Sequence, residues 1–158
     1  MSIKNKLNMI TLIVVSFALA IISLTISKAI EQRVFMAQAK ELNVLSQKLS
    51  LLIHETQKER GASAGFIGSK GAKFADILPK QRLLTTSRNK ELDEYLNTLD
   101  LSDFPSELQS ELSSFESDMG RIDSIRSKVS ALNIGVKDEV AYYTNMNAKI
   151  LNIVALTS

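Results

Sequence analysis

An uninterrupted run of uncharged residues near the N-terminus constrains this chain more than any other feature. Residues 7–27 read LNMITLIVVSFALAIISLTIS and contain no Asp, Glu, Lys, Arg or His. At about 1.5 Å rise per residue, a helix of this length crosses the roughly 30 Å hydrocarbon core of a bilayer. The run therefore predicts a transmembrane helix over residues 7–27, with residues 1–6 on one side of the membrane and residues 28–158 on the other.

The charges before the apolar run indicate its orientation. Lys4 and Lys6 precede it, and by the positive-inside rule they predict an N-terminus in the cytoplasm. The alternative is a cleaved signal peptide, because Ala18 and Ala20 offer a small-residue cleavage site. The apolar run continues to Ile26, however, and exceeds the usual signal-peptide core of about 7–15 residues. This length favours an uncleaved, single-pass anchor.

Composition excludes several functional classes. Lys4 and Lys6 account for the net charge of +2, because the remaining 17 basic residues balance 17 acidic ones. No basic patch with interleaved aromatic residues occurs, so nucleic acid is not an expected partner. Cysteine is absent, and His54, the only histidine, has no second ligand at metal spacing. Without a nucleophile–base pair or a glycine-rich phosphate loop, we expect no enzymatic activity, no metal and no cofactor.

The region after the apolar run reads as helical throughout. The chain has only two prolines and six glycines, and no segment alternates like a strand. Apolar residues recur at three- and four-residue steps, which is the pattern of a bundle seam. The sequence predicts an all-α fold in which the N-terminal transmembrane helix continues into an antiparallel four-helix bundle.

The predicted seams and turns can be given residue by residue. The second helix is predicted to start near Asp76, as its cap, with Pro79 in its first turn. Turns are predicted at Gly68–Gly71 and at Gly135, and the third helix is predicted to begin around Asp103 to Pro105. The four seams are Leu42, Leu45, Leu49, Leu52 and Thr56; Leu78, Arg82, Thr85, Asn89, Leu92, Leu96 and Leu99; Leu108, Leu112, Phe115, Met119, Ile122, Ile125, Val129 and Leu132; and Val136, Val140, Tyr143, Asn147, Ile150 and Val154.

Polar residues occur on two helix faces on either side of the same turn. Arg82, Thr85 and Asn89 are successive positions of the second seam. On the first helix, a stripe becomes polar at its far end, and it consists of Leu49, Ile53, Thr56, Arg60, Ser63 and Ile67. A guanidinium is rarely buried without a partner, and few acids stand beside these arginines. Forked guanidinium donors suit a planar oxyanion. We therefore expect an anion site, with the small residues between Gly61 and Gly65 allowing close backbone approach. Its predicted ligand-binding residues are Arg60, Ser63, Arg82, Thr85 and Asn89.

The alternative for these arginines is that protein carboxylates neutralise them. Arg60 would then pair with Asp76 or with Glu59 of a neighbouring copy. Arg82 would pair with a carboxylate of the bundle. Arginines at the edge of a helical seam also often extend into solvent.

Several short motifs resemble one known family. They are HETQKERG at residues 54–61, SAGF at 63–66, a Gly-Ser-Lys-Gly turn, Phe74, Gln81-Arg82 and YYTNMN at 142–147. Together they resemble the nitrate- and nitrite-sensing domain of bacterial chemoreceptors and other signalling proteins, over roughly Leu42 to Val154. The resemblance implies an all-helical, periplasmic sensor behind an anchor in the bacterial inner membrane. It also implies a nitrate or nitrite ligand held between helices by arginines, which correspond to Arg60 and Arg82.

The chain departs from the family pattern in two ways. Thr85-Thr86 stands where the family has Thr-Asp. The family domain is also larger, so we expect a C-terminally incomplete domain over residues 28–158 and no downstream chemotaxis signalling module in this chain. A homodimer is the default for such receptors.

Three functional classes remain open. The first is a membrane-anchored periplasmic sensor that binds nitrate or nitrite and drives transmembrane signalling, as the input part of a chemoreceptor. The second is a four-helix-bundle chemoreceptor sensor for an organic acid or an amino acid. The third is a membrane-anchored structural bundle without a ligand.

Overall fold

The computed structural model of the chain describes residues 2–157, and every regular element in this range is helical. The chain divides into two compact units, Met1–Lys40 and Glu41–Ser158. The predicted all-α fold is therefore confirmed. The elements are α1 (Ile3–Gly68), α2 (Leu78–Leu96), a short 3-10 helix (Leu101–Asp103), α3 (Ser106–Met119), α4 (Ile122–Ser130) and α5 (Val136–Leu156).

The first unit is a single stretch of α1 with an apolar surface. No residue in the most apolar 18-residue window of this stretch is buried. Among the described residues, α1 is the one helix long and apolar enough to cross a membrane. Phe17 and Leu24, for example, are 68% and 64% exposed. A helix with apolar residues all round and no protein neighbours suits a lipid environment. It fits a single-pass membrane protein.

The second unit encloses the hydrophobic core. The predicted leucine seam of α1 is confirmed, since Leu45, Leu49 and Leu52 are at most 1% exposed. These leucines pack in one cluster with side chains of the other helices, and α3 packs closely against α5. The buried apolar partners include Leu92, Leu96, Leu108, Leu112, Phe115, Met119, Ile122, Tyr143, Met146, Ile150 and Ile153.

The third predicted helix is interrupted. It was expected to run without a break to Leu132, but α3 ends at Met119 and α4 begins at Ile122. Gly120 lies at the break, where a residue without a side chain stabilises the helix least. Leu132 lies beyond the end of α4, has a φ of 54° and is 43% exposed, so its predicted seam position is wrong.

Two other local predictions need correction. Asp76 does not cap α2, because the N-cap is Ile77 and no side chain caps this end. The backbone supplies the bonds instead, since the N–H groups of Ile77 and Leu78 donate to the carbonyl oxygen of Phe74. Pro79 lies in the first turn of α2 as predicted, where its missing N–H is not needed.

The buried stripe of α5 differs from the predicted one. Val136 is 39% exposed, whereas Glu139, which was not assigned to the seam, is fully buried. The observed stripe is Glu139, Tyr143, Met146, Asn147, Ile150 and Ile153, so the predicted positions Tyr143, Asn147 and Ile150 are confirmed. The prediction started from the apolar Val136, because an acid was expected to face solvent.

The two glycines near the end of α1 have different surroundings. A Cβ at Gly61 would meet nothing within 4 Å, whereas a Cβ at Gly65 would overlap the aromatic ring of Phe74. A close approach was predicted for this segment. It occurs at Gly65, where the Phe74 side chain contacts the helix, and it is absent at Gly61. Phe74, with a φ of 66°, belongs to the turn between α1 and α2.

This difference predicts opposite consequences for two matched substitutions. Gly61→Ala is expected to stabilise the second unit by about 0.5–1 kcal/mol, because alanine favours the helix. Gly65→Ala gains the same term but displaces Phe74, so it should be less stable than Gly61→Ala by about 1–2 kcal/mol. Urea unfolding of both variants measures the difference. Equal stabilities would show that the Phe74 ring does not rest on Gly65.

Candidate functional site

A buried carboxylate lies at the centre of the polar cluster in the second unit. Glu59 of α1 is fully buried. Arg126 of α4 donates to both of its oxygens, from Nε to Oε1 at 2.7 Å and from Nη2 to Oε2 at 2.9 Å. The Tyr143 hydroxyl of α5 donates to Oε1 at 2.7 Å. Such a bidentate, charge-assisted pair is among the stronger hydrogen-bonded arrangements in proteins.

Arg82 of α2 approaches the same carboxylate but does not hydrogen-bond to it. Its Nη1 donates to Ser130 Oγ at 2.8 Å and its Nη2 to the carbonyl oxygen of Arg126 at 3.1 Å. Its Nε is buried without a hydrogen-bond partner and lies 4.0 Å from Glu59 Oε1. Burial lowers the pKa of Arg82, and the charge of Glu59 opposes this shift. An arginine nevertheless stays protonated, so this buried donor lacks an acceptor.

Arg60 has no carboxylate partner among residues 2–157. Its Nη1 donates to the Thr144 hydroxyl of α5 at 3.0 Å, and its side chain is half-buried. The alternative pairing with Asp76 is not observed. A guanidinium carries five N–H donors, so Arg60 retains most of its capacity to bind an acceptor.

The charges of this cluster do not balance. Arg60, Arg82 and Arg126 are positive, whereas among residues 2–157 Glu59 is the one buried carboxylate at ion-pair distance from any of them. Asp123 also contacts Arg126, but its side chain is 87% exposed. The expectation that Arg60 and Arg82 have no internal counterion is therefore wrong for Arg82, whose Nε lies at ion-pair distance from Glu59, although Glu59 bonds directly to Arg126. An excess of positive charge nevertheless remains.

Helices α1 and α5 run antiparallel, and their polar contacts follow a regular register. The Thr56 hydroxyl lies 2.6 Å from Asn147 Oδ1, and the contacts of Glu59 with Tyr143 and of Arg60 with Thr144 come one turn further along. Continuing by one more turn on each helix brings Ser63 opposite Glu139. Both residues are fully buried. Neither Ser63 Oγ nor either oxygen of Glu139 has a hydrogen-bond partner in the described chain.

The structure groups some of the predicted ligand residues and separates others. Arg82 and Arg60 lie near Glu59, and Ser63 lies one turn beyond it. Thr85 is buried, but its hydroxyl donates to the backbone of its own helix at Gln81. Asn89 donates to Asp93 and lines a cavity of about 300 Å³ together with Asp93 and Glu116. This acidic cavity is two helical turns from Arg82 and is a poor place for an anion.

The sequence interpretation missed the residues that complete the cluster. Arg126 shares a stripe with Ile122 and Val129, at steps of four and three residues, and Glu59 continues the stripe of Leu52 and Thr56. Periodicity alone would have placed both charges inside. His54 is exposed, and no group of His, Cys, Asp and Glu that could hold a metal occurs among the described residues.

The second unit is thus an all-helical bundle with arginines of two helices beside one buried carboxylate. Comparison with sequence families gives the particular family. Residues 51–158, about two thirds of the chain, match the family described as nitrate and nitrite sensing. The chain therefore belongs to this family, and the resemblance inferred from the motifs is confirmed.

The fold is similar to that of a solved structure, the NasR transcription antiterminator. The TM-score is 0.73 at 21% sequence identity, and the alignment covers 82% of this chain and 36% of the antiterminator chain. At this identity the similarity supports the fold alone. No protein of curated function matches the sequence.

Proposed function

We propose that this chain senses a small planar oxyanion, nitrate or nitrite, at the cluster around Glu59. One observation carries the proposal: the guanidinium groups of Arg82 and Arg126 lie against one buried carboxylate, that of Glu59, and the Nε of Arg82 is buried without an acceptor. A buried donor without a partner costs about 1–3 kcal/mol. An anion that accepts from this donor would recover that free energy and offset the excess positive charge.

The proposed ligand contacts are those whose donors are available. Arg60 has one hydroxyl partner, and Ser63 has none within the described residues. Arg82 contributes its Nε. Arg126 holds Glu59 in place and so fixes the position of Arg82. Thr85 and Asn89 of α2 were also predicted as ligand residues. Each would have to release its present hydrogen bond first, so we propose that they contribute less to binding than Arg60, Ser63 and Arg82.

The location and the signalling route belong to the same proposal. We infer a bacterial inner-membrane protein with residues 1–6 in the cytoplasm, a span at 7–27 and a periplasmic sensor domain over 28–158. Helix α1 contains both the apolar segment and Arg60. Anion binding would favour one packing of the helices, and a small displacement of α1 would carry the signal. We propose that the receptor is a homodimer of the chemoreceptor type.

Thermal unfolding of the full chain in detergent micelles tests this function. Nitrate or nitrite should raise Tm, because a ligand that binds only the folded state stabilises it by RT ln(1 + [L]/Kd), or about 2.7 kcal/mol at a hundredfold excess over Kd. Arg60→Ala should lose this stabilisation. Arg88→Ala is the matched control, since Arg88 pairs with Glu91 on α2 away from the cluster. It should respond to nitrate like the wild type.

The same measurement separates the alternatives. An organic-acid or amino-acid sensor would be stabilised by a carboxylate ligand and not by nitrate, with chloride as the ionic-strength control. A structural bundle would respond to none of these anions. Undiminished stabilisation of Arg60→Ala by nitrate would contradict the role of Arg60.

A further inference from the structure

Glu139 is a second fully buried carboxyl group, and it differs from Glu59 in having no hydrogen-bond partner. It is 0% exposed, and both of its oxygens are unpartnered in the described chain. Glu139 lies in the first turn of α5, where the helix dipole favours a negative charge. Burial outweighs this effect and raises the pKa of Glu139 to about 8. The side chain is therefore uncharged at neutral pH and carries a hydroxyl donor.

The residue opposite Glu139 also lacks a partner. The α1–α5 register places Ser63 at this level, and its hydroxyl is fully buried without a hydrogen bond in the described chain. Buried polar groups in native proteins are nearly always hydrogen-bonded. Two unpartnered groups on facing helices, one turn from Arg60, point to a small polar ligand between them.

We propose that Glu139 links anion binding to proton binding: its neutral carboxyl and Ser63 donate hydrogen bonds to the oxyanion, and ionisation of Glu139 repels it. This inference rests on the proposed function, since it assigns regulation to the same anion site. A carboxylate cannot donate, and a second negative charge beside a bound anion is unfavourable. The sensor would therefore hold its ligand in the protonated state and release it as the pH rises.

The charged groups around Glu139 shift its pKa in opposite directions. Arg60 of α1 favours its ionised form, and Glu59 of the same helix disfavours it. Tyr143 lies one turn further along α5, and burial raises its pKa, so its hydroxyl keeps its proton at neutral and mildly alkaline pH. Arg82 of α2 and Arg126 of α4 lie around Glu59 and stay protonated. Glu139 is thus the buried group assigned to the transition near pH 8.

Nitrate affinity of the full chain, measured in micelles by calorimetry at pH 6.5 and pH 9, tests the inference. The wild type should bind about tenfold more weakly at pH 9, one unit above the transition, because binding requires the protonated form. Glu139→Gln keeps a donor and cannot ionise, so its affinity should be equal at both pH values. Asp138→Asn is the matched control. Asp138 is the exposed neighbour of Glu139, and this variant should retain the tenfold change.

Stability without nitrate gives an independent readout. Glu139 binds its proton more tightly in the folded state than in the unfolded state, where its pKa is near 4.5. Its contribution should therefore lower Tm as the pH rises from about 5 to 8, and Glu139→Gln should remove that decline. A decline that persists unchanged in Glu139→Gln would overturn the assignment of this proton to Glu139.

The outcomes distinguish this inference from the proposed function. If nitrate binds the wild type equally well at both pH values, the proton link is wrong and the anion site stands. If nitrate binds at neither pH, the proposed function and the proton link both fail. A tenfold change that also persists in Glu139→Gln would assign the coupling to another residue.

Discussion

Replacing Arg126 by methionine is expected to destabilise the second unit by about 3–5 kcal/mol, because removing one partner of a buried ion pair leaves the other charge without compensation. Burial alone would lower the pKa of Arg126, but the hydrogen bonds and charge of Glu59 raise it. The two side chains therefore depend on each other. Methionine retains most of the apolar stem, so the loss reports the guanidinium. Urea unfolding measures this loss of stability. In a thermal scan it should appear as a fall in Tm of roughly 10–20 °C for a unit of this size.

Arg121→Met is the matched control for this substitution. Arg121 also pairs with an acid, Asp118, but its side chain is 66% exposed. Exposed pairs contribute about 0–1 kcal/mol. Adding Glu59→Gln to Arg126→Met should recover part of the lost stability, because the neutral amide still accepts from the Tyr143 hydroxyl and leaves no unpaired charge. If Arg126→Met were as stable as Arg121→Met, the buried pair would not be structural.

The helices could be predicted because their apolar spacing is regular. Leu45, Leu49 and Leu52 recur with helical period, and no competing strand pattern exists, so the core face of α1 follows from the sequence. The break between α3 and α4 could not be predicted in the same way. Apolar spacing continues through Gly120, and the interruption depends on local backbone geometry. The turn before α2 was similarly misjudged, because a backbone carbonyl replaces the expected Asp76 cap.

The site was harder to predict than the fold, because charged residues were treated as markers of the solvent-facing surface. Arg60 and Arg82 were taken as exceptions to that rule because they interrupt apolar stripes, and their role in ligand binding stays a prediction. The rule failed for Glu59 and Arg126, which pair across two helices, and for Glu139, which is buried without a hydrogen-bond partner in the described chain. Sequence spacing gives the stripe on which a residue lies. It does not show which distant side chain will compensate its charge, and this compensation decides whether an acid can be buried.

Removing the Glu59 side chain is expected to convert the cluster into a stronger anion site. Glu59→Ala leaves Arg82 and Arg126 facing the volume that the carboxylate occupied, and should cost about 3–5 kcal/mol at low salt. Nitrate and formate are planar oxyanions, and each can accept from the forked donors of Arg126 as the carboxylate does. Millimolar nitrate should therefore restore a large part of the lost stability. Its stabilising effect should exceed that on the wild type, because the competing internal carboxylate is gone.

Glu55→Ala is the matched control for anion rescue, since Glu55 lies one turn earlier on α1 and its carboxylate bonds Lys58 and Gln81 instead of the arginine cluster. Nitrate should not restore its stability beyond the response of the wild type. Chloride, which cannot form two parallel hydrogen bonds to one guanidinium, should rescue Glu59→Ala less than nitrate at equal ionic strength. Equal rescue by both anions would indicate general screening of the arginines. If nitrate does not stabilise Glu59→Ala, the arginines do not form an oxyanion-binding fork. In that variant the Glu59 carboxylate is absent, and nitrate would have failed to take its place.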